Sequence, residues 1–163
     1  NLKYPTLAVT KGAAFGGGVG LISCCDIALA SENSIFSLSE VKVGLVPATI
    51  SPYVINAIGA RNARRLFTSG ERFDSNIAKQ INLVHEIAKE EDLEKRISYF
   101  INHFKQNGPQ AVIAAKKIVL DIFNKEIDDS VISHTCEVIS ALRTSKEGRE
   151  GVTAFLEKRN PNW

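Results

Sequence analysis

Three consecutive glycines, Gly16-Gly17-Gly18, stand between a short β-prone run, Leu7-Ala8-Val9-Thr10, and the apolar segment Val19-Gly20-Leu21-Ile22-Ser23-Cys24-Cys25. That order predicts a strand, a glycine turn and a buried helix. Glycine at such a turn lets backbone amides approach a partner closely, and an oxygen bearing negative charge is the partner those amides suit. The turn is not a Walker loop, which needs a lysine and a Ser or Thr after its last glycine, and its spacing does not match Gly-x-Gly-x-x-Gly. A purely architectural reading also fits, in which small residues only let the helix pack tightly on a sheet.

Further along, Ile27-Ala28-Leu29-Ala30 and Ile35-Phe36-Ser37-Leu38 read as strands separated by the polar turn Ser31-Glu32-Asn33-Ser34, and they lead to Ser39-Glu40. Buried strands alternating with helices predict an α/β arrangement. After Pro47, Ser51-Pro52 opens a helix through Ile58 that Gly59 can stop. Ala60 to Thr68 reads as a second helix, Asp74 caps a short one through Gln80, and Leu83-Val84-His85-Glu86-Ile87 alternates as a last strand. From Glu90 the period is helical, with helices over 92–107, from Pro109, from Asp128 and over 147–160. In the helix opened by Pro109, the residues Val112, Ile113, Ala115, Ile118, Val119 and Ile122 are expected to face inward. Residues 1–88 are therefore expected to form an α/β core and 89–163 a helical region.

With 44% hydrophobic residues over 163 positions, the chain can build a core without disulfides or a structural metal. A net charge of +2 creates no field that calls for nucleic acid or a membrane surface. No apolar run approaches the roughly 18 residues of a membrane span and no signal-peptide zones appear, so a soluble, cytoplasmic enzyme is expected. Cys24, Cys25 and Cys136 are expected as small core residues of a reducing compartment, and His85, His103 and His134 lack metal-ligand spacing, so no metal is expected. Arg61, Arg64 and Arg65 read as a solvated face and Asp26 as a structural residue. The chain starts at Asn1 and contains no methionine, so a fragment of a longer protein is expected.

The segment Gly12-Ala13-Ala14-Phe15-Gly16-Gly17-Gly18-Val19-Gly20-Leu21, followed by Cys25-Asp26-Ile27-Ala28, resembles the crotonase superfamily of enoyl-CoA hydratases and isomerases. Phe36-Ser37-Leu38-Ser39-Glu40-Val41-Lys42-Val43-Gly44-Leu45-Val46-Pro47 resembles that family's second signature, and Ala154-Phe155-Leu156-Glu157-Lys158-Arg159 its C-terminal helix. The resemblance runs the whole length of the chain. It implies the latter part of a crotonase-like (ClpP/crotonase) spiral of ββα units, followed by C-terminal helices that assemble homotrimers or dimers of trimers. It also implies that an N-terminal part of the family domain precedes Asn1 and supplies the first oxyanion amide and most of the CoA contacts.

By the same resemblance, the Gly17 amide is the second oxyanion donor to a thioester enolate, a contact of a kind worth about 3 kcal/mol in barrier. Glu40 is the general base and acid; without the family context, a glutamate there reads as a solvated or capping side chain. Gly16, Gly20, Pro47 and Ala48 are expected to line the substrate pocket, and Phe155 and Lys158 to reach the adenine and phosphates of CoA on a neighbouring subunit. The only cofactor implied is the coenzyme A that the substrate itself carries.

Gly20 departs from the pattern, because hydratases of the best-known type have a second glutamate there. A lone glutamate is the pattern of enoyl-CoA isomerases, in which one carboxylate moves a proton from the α to the γ carbon. Yet Gly18-Val19-Gly20-Leu21-Ile22 and Gly44 to Val54 are similar to bacterial hydratases of glutaconyl-CoA type substrates such as methylglutaconyl-CoA, some of which have glycine at this position. Ala48-Thr49-Ile50 replaces the usual glycine-rich stretch after the proline, which implies a different acyl pocket. The resemblance thus implies a hydratase first and an isomerase second, with a substrate carboxylate able to take the missing role. A non-catalytic oligomerising fragment is the reading from another class.

Overall fold

The computed structural model describes residues 2–163, which divide into two compact units: Thr6–Ile97, and Ser98–Trp163 together with the N-terminal residues up to Pro5. In the first unit the order is β1 (Leu7–Thr10), β2 (Ala13–Phe15), α1 (Gly17–Ser23), β3 (Ile27–Ser31), β4 (Ile35–Ser37), a 3-10 turn (Glu40–Val43), α2 (Ser51–Ser69), β5 (Arg72–Asp74), α3 (Ser75–Gln80) and β6 (Glu86–Ala88). A second 3-10 turn (Glu90–Asp92) precedes α4 (Leu93–Gln106), along which the chain passes from one unit to the other.

The first four strands are dealt alternately to two three-stranded sheets, β5 joins the second and β6 the first. β1, β3 and β6 form a parallel sheet in which Leu7 pairs with Ile27 and Leu29 with Glu86. β2 pairs parallel to β4, with Phe15 opposite Ser37, and β5 closes that sheet antiparallel, with Phe36 opposite Phe73. Each strand pair followed by a helix is one ββα turn, as the resemblance implies. Side chains from both sheets and from α1 and α2 share a core that includes Val19, Ile22, Phe36, Leu38, Val54 and Leu66. The Phe36 and Phe73 rings stack with centroids 5.6 Å apart, and burying one such side chain stabilises the fold by about 1.5–3 kcal/mol.

Local signals place the helices. Pro52 lies in the first turn of α2, and Gly59, at φ 75° and ψ 154°, breaks that helix into the two halves that its sequence predicts. Asp74 Oδ1 accepts the Ile77 amide at 2.9 Å and caps α3. Asp26 is structural as expected: its carboxylate accepts both the amide and the hydroxyl of Thr6 at 2.7 Å, fastening the starts of β1 and β3.

Three expectations, the last of which also covers Cys136 of the other unit, need correction. β2 and β5 are additional strands of three residues each, too short to show an alternating pattern and formed by pairing with β4. β6 begins at Glu86 rather than Leu83, because the Leu83 and Val84 amides both donate to the Ala78 carbonyl at the end of α3 and are not free for a ladder. Cys24 and Cys136 are exposed free thiols and Cys25 is only half-buried, so none is a core residue; Cys24 terminates α1, donating its amide to Gly20 O. Partial burial, then the neighbouring Cys25, pushes the Cys24 thiol above its ordinary pKa.

The second unit continues with α5 (Pro109–Ile122), α6 (Asp129–Thr144) and α7 (Lys146–Leu156). Asp128 and Ser145 cap α6 and α7 by accepting the Val131 and Gly148 amides, each at 2.9 Å. Glu147 accepts the Gln110 and Ala111 amides at 2.9 and 2.8 Å, a carboxylate at the positive end of α5. Contrary to expectation, Ala115 and Val119 of α5 are exposed, Val119 by 60%; α5 half-buries Val112, Ile113, Ile118 and Ile122 and leaves Leu120 uncovered as well. α7 ends at Leu156 instead of reaching Asn160, and just beyond it Lys158 takes the left-handed backbone conformation at φ 56°. Among the described residues no helix is long and apolar enough to cross a membrane.

Candidate active site

The glycine turn is held by backbone bonds. The Gly16 amide donates to the Ser37 carbonyl at 2.9 Å, which ties the turn to the end of β4, and the Gly20 amide donates to Gly16 O at 3.2 Å, which opens α1. Gly16 is the N-terminal cap of α1 at φ 50°, a backbone conformation that favours glycine. Gly17 is the first helical residue and is exposed, and an amide in that position has no acceptor within its own helix.

Three residues beyond Ser37, Glu40 starts the 3-10 turn, where its carbonyl accepts the Leu45 amide at 3.0 Å. Its side chain turns back to the glycine turn. A Cβ added to Gly16 would lie 2.9 Å from Glu40 Oε1, so the carboxylate rests against bare backbone, and any side chain there would press on it. Glu40 Oε2 is buried and has no hydrogen-bond partner among the described residues. Leaving a buried carboxylate oxygen unsatisfied is expensive, so a group in this position calls for a hydrogen-bond partner.

One turn into α1, Gly20 is buried against Ile50. A Cβ at position 20 would stand 2.3 Å from Ile50 Cγ2 and 2.7 Å from Ile50 Cβ, so the space a side chain would need there is filled. Ile50 sits at the head of α2, at the end of a short loop in which Pro47 is buried, Ala48 is exposed and Ala48 O accepts the Ser51 hydroxyl at 2.9 Å.

Of the sequence-predicted residues, Gly16, Gly17 and Glu40 thus come together, with Gly20 one helical turn away. Pro47 and Ala48 belong to the loop that delivers Ile50. Phe155 and Lys158 belong to the helical unit, where Phe155 is 81% exposed at the end of α7. Ile50 was missed as a site neighbour; its only sequence signal is the replaced stretch after Pro47. A shallow cavity of about 340 Å³ lies elsewhere on α1, lined by Val9, Lys11, Ala13, Gly18, Leu21 and Cys25, and neither Glu40 nor Gly17 contributes to it. Among the described residues no group of three His, Cys, Asp or Glu side chains is placed to hold a metal ion. Arg65 is engaged with Glu71 at 2.7 Å, which holds the Glu71 carboxyl below its ordinary pKa.

The sequence model of the enoyl-CoA hydratase/isomerase family matches residues 1–163. The chain belongs to that family. An enoyl-CoA hydratase of Shewanella pealeana is 45% identical, and its crystal structure superposes with a TM-score of 0.94 over 99% of this chain and 60% of that one. An enoyl-CoA hydratase/isomerase of Marinobacter aquaeolei is 34% identical, with a TM-score of 0.91 over 96% of this chain and 60% of that one. Among curated relatives, an enoyl-CoA hydratase of Alternaria alternata is 32% identical over 161 residues, 97% of this chain and 53% of that protein. A crotonyl-CoA hydratase of Syntrophomonas wolfei is 27% identical over 163 residues, 99% of this chain and 62% of that protein. The architecture is the crotonase-like fold, and the chain spans about half to three-fifths of the length of these relatives.

Proposed function

We propose that this chain serves the hydration of an enoyl-CoA thioester, with Glu40 as general base and acid and the Gly17 amide as a donor to the enolate oxygen. The observation that carries the reading is the Glu40 carboxylate itself, one oxygen against Gly16 and the other buried without a hydrogen-bond partner among the described residues. Glu40 takes a proton from water as the water oxygen bonds to the β carbon. The electron pair of the double bond moves into the thioester, whose oxygen becomes the enolate held by the amide. Glu40 then returns its proton to the α carbon, so that it ends as the carboxylate it was at the start.

The substrate class is a branched or glutaconyl-type acyl-CoA, and in the glutaconyl type the substrate's own carboxylate orders the water that a second glutamate would otherwise hold. Residues 1–88 carry the chemistry, and 89–163 assemble a cytoplasmic homotrimer or dimer of trimers in which the exposed Phe155 and Lys158 meet the CoA of a neighbouring subunit. The uncovered apolar positions Val119 and Ile139, 60% and 62% exposed, support that assembly. The isomerase reading is favoured by one observation, that Ile50 fills the space beside Gly20 and leaves no room there for a second carboxylate.

The test is to incubate the full-length protein with methylglutaconyl-CoA and with a β,γ-enoyl-CoA and to identify the products. Water addition to the first supports the hydratase. Double-bond migration in the second, without water addition to either, makes it an isomerase, and turnover of neither overturns the enzymatic reading.

A further inference from the structure

Gly16 and Gly20 lie four residues apart and are joined by the Gly20 amide to Gly16 carbonyl bond, about 6 Å along the helix axis. The first meets the Glu40 carboxylate and the second meets Ile50, so an acidic and an apolar side chain from two different segments are set against successive turns of one bare backbone. Ile50 has little freedom to withdraw. Its carbonyl accepts the Tyr53 and Val54 amides at 3.1 and 3.0 Å, its side chain packs on the core, and a β-branched residue is stiff at χ1. It is nonetheless only half-buried.

We propose that Ile50 is a specificity-determining residue: an apolar wall one helical turn from Glu40 that receives an apolar branch of the acyl group and, interlocked with Gly20, bars a second ionisable side chain from that face. The inference rests on the assignment of Glu40 above. It makes Glu40 responsible for both proton transfers and selects acyl chains branched near the double bond over straight ones.

The experiment uses the full-length protein with Ile50→Ala, Ile50→Val, Gly20→Ala and the Gly20→Ala/Ile50→Ala pair, reading Tm and kcat/KM for a branched and a straight-chain enoyl-CoA. Gly20→Ala is expected to lower Tm by more than about 5 °C, and Ile50→Ala in the same chain, which removes the Cγ2 contact and keeps the Cβ, to recover part of that loss, since residues in contact couple. Ile50→Ala is expected to shift the branched-to-straight kcat/KM ratio at least tenfold toward the straight chain, with Ile50→Val close to wild type. A merely structural Ile50 would change Tm and leave the ratio alone, and that result overturns the inference, as do additive Tm losses. Wild-type protein inactive on both thioesters would instead overturn the assignment of Glu40 on which the inference rests.

Discussion

Glu40 Oε1 lies 2.9 Å from the point that a Cβ on Gly16 would occupy, so the residue that opens α1 also makes room for the acid that faces it. Gly16→Ala brings two penalties to one position, a strained backbone at φ 50° and a methyl group pressed on the carboxylate. The expected loss is about 1–2 kcal/mol of stability, read by urea denaturation, together with at least a tenfold loss of turnover as the carboxylate is displaced. Full activity in a stably folded Gly16→Ala protein would contradict the contact.

Gly59 provides a purely conformational comparison. At φ 75° and ψ 154°, with nothing within 4 Å of an added Cβ, it divides α2 by backbone shape alone. Gly59→Ala is therefore expected to destabilise by roughly 1–3 kcal/mol with no clash to relieve. Equal denaturation midpoints for variant and wild type would refute this.

The C-terminal tail has its own titration. Arg159 holds both oxygens of Glu150 at 2.7 and 3.0 Å, and the Asn162 amide adds a third bond at 2.8 Å. Arg159 first, then that amide, lowers the Glu150 carboxyl from its usual 4.5 to about 2. A depressed folded-state value means that the clamp is complete above pH 4.5, weakens as the pH falls, and is lost as it passes through about 2. Trp163, the single tryptophan, has its ring beside Gly151 and reports the tail by fluorescence. An acid transition centred near 2 in wild type and absent in Glu150→Gln is expected; a midpoint near 4.5 would mean that the clamp does not perturb Glu150.

What could be read in the residues follows from how local each requirement is. The glycine triplet and the Asp74 start are set by backbone needs within a few positions and appear in the structure where the residues indicate, whereas Ser51, which reads as the cap of α2, is its first helical residue and Ile50 stands at the cap. β2 and β5 are not legible, because three-residue strands exist only through their pairing with β4. The stretch Ala48-Thr49-Ile50 signals a changed pocket, but the contact of Ile50 with Gly20 joins positions 30 apart and is not legible in the sequence. The helical period of α5 is plain in the sequence, but period alone does not say which apolar positions one chain covers, and Val119 is exposed. Glu40 was singled out by resemblance alone; its buried, partnerless oxygen is visible only in three dimensions.

The central claim is that Glu40 moves the protons. The most direct measurement is exchange of the substrate's α proton with deuterium in D₂O, followed by mass spectrometry for full-length wild type and Glu40→Gln, with acyl-CoA binding measured in parallel. The account predicts exchange by wild type, a loss of about 10²–10⁴-fold in the variant, and similar binding by both. Exchange at the wild-type rate in Glu40→Gln would contradict it.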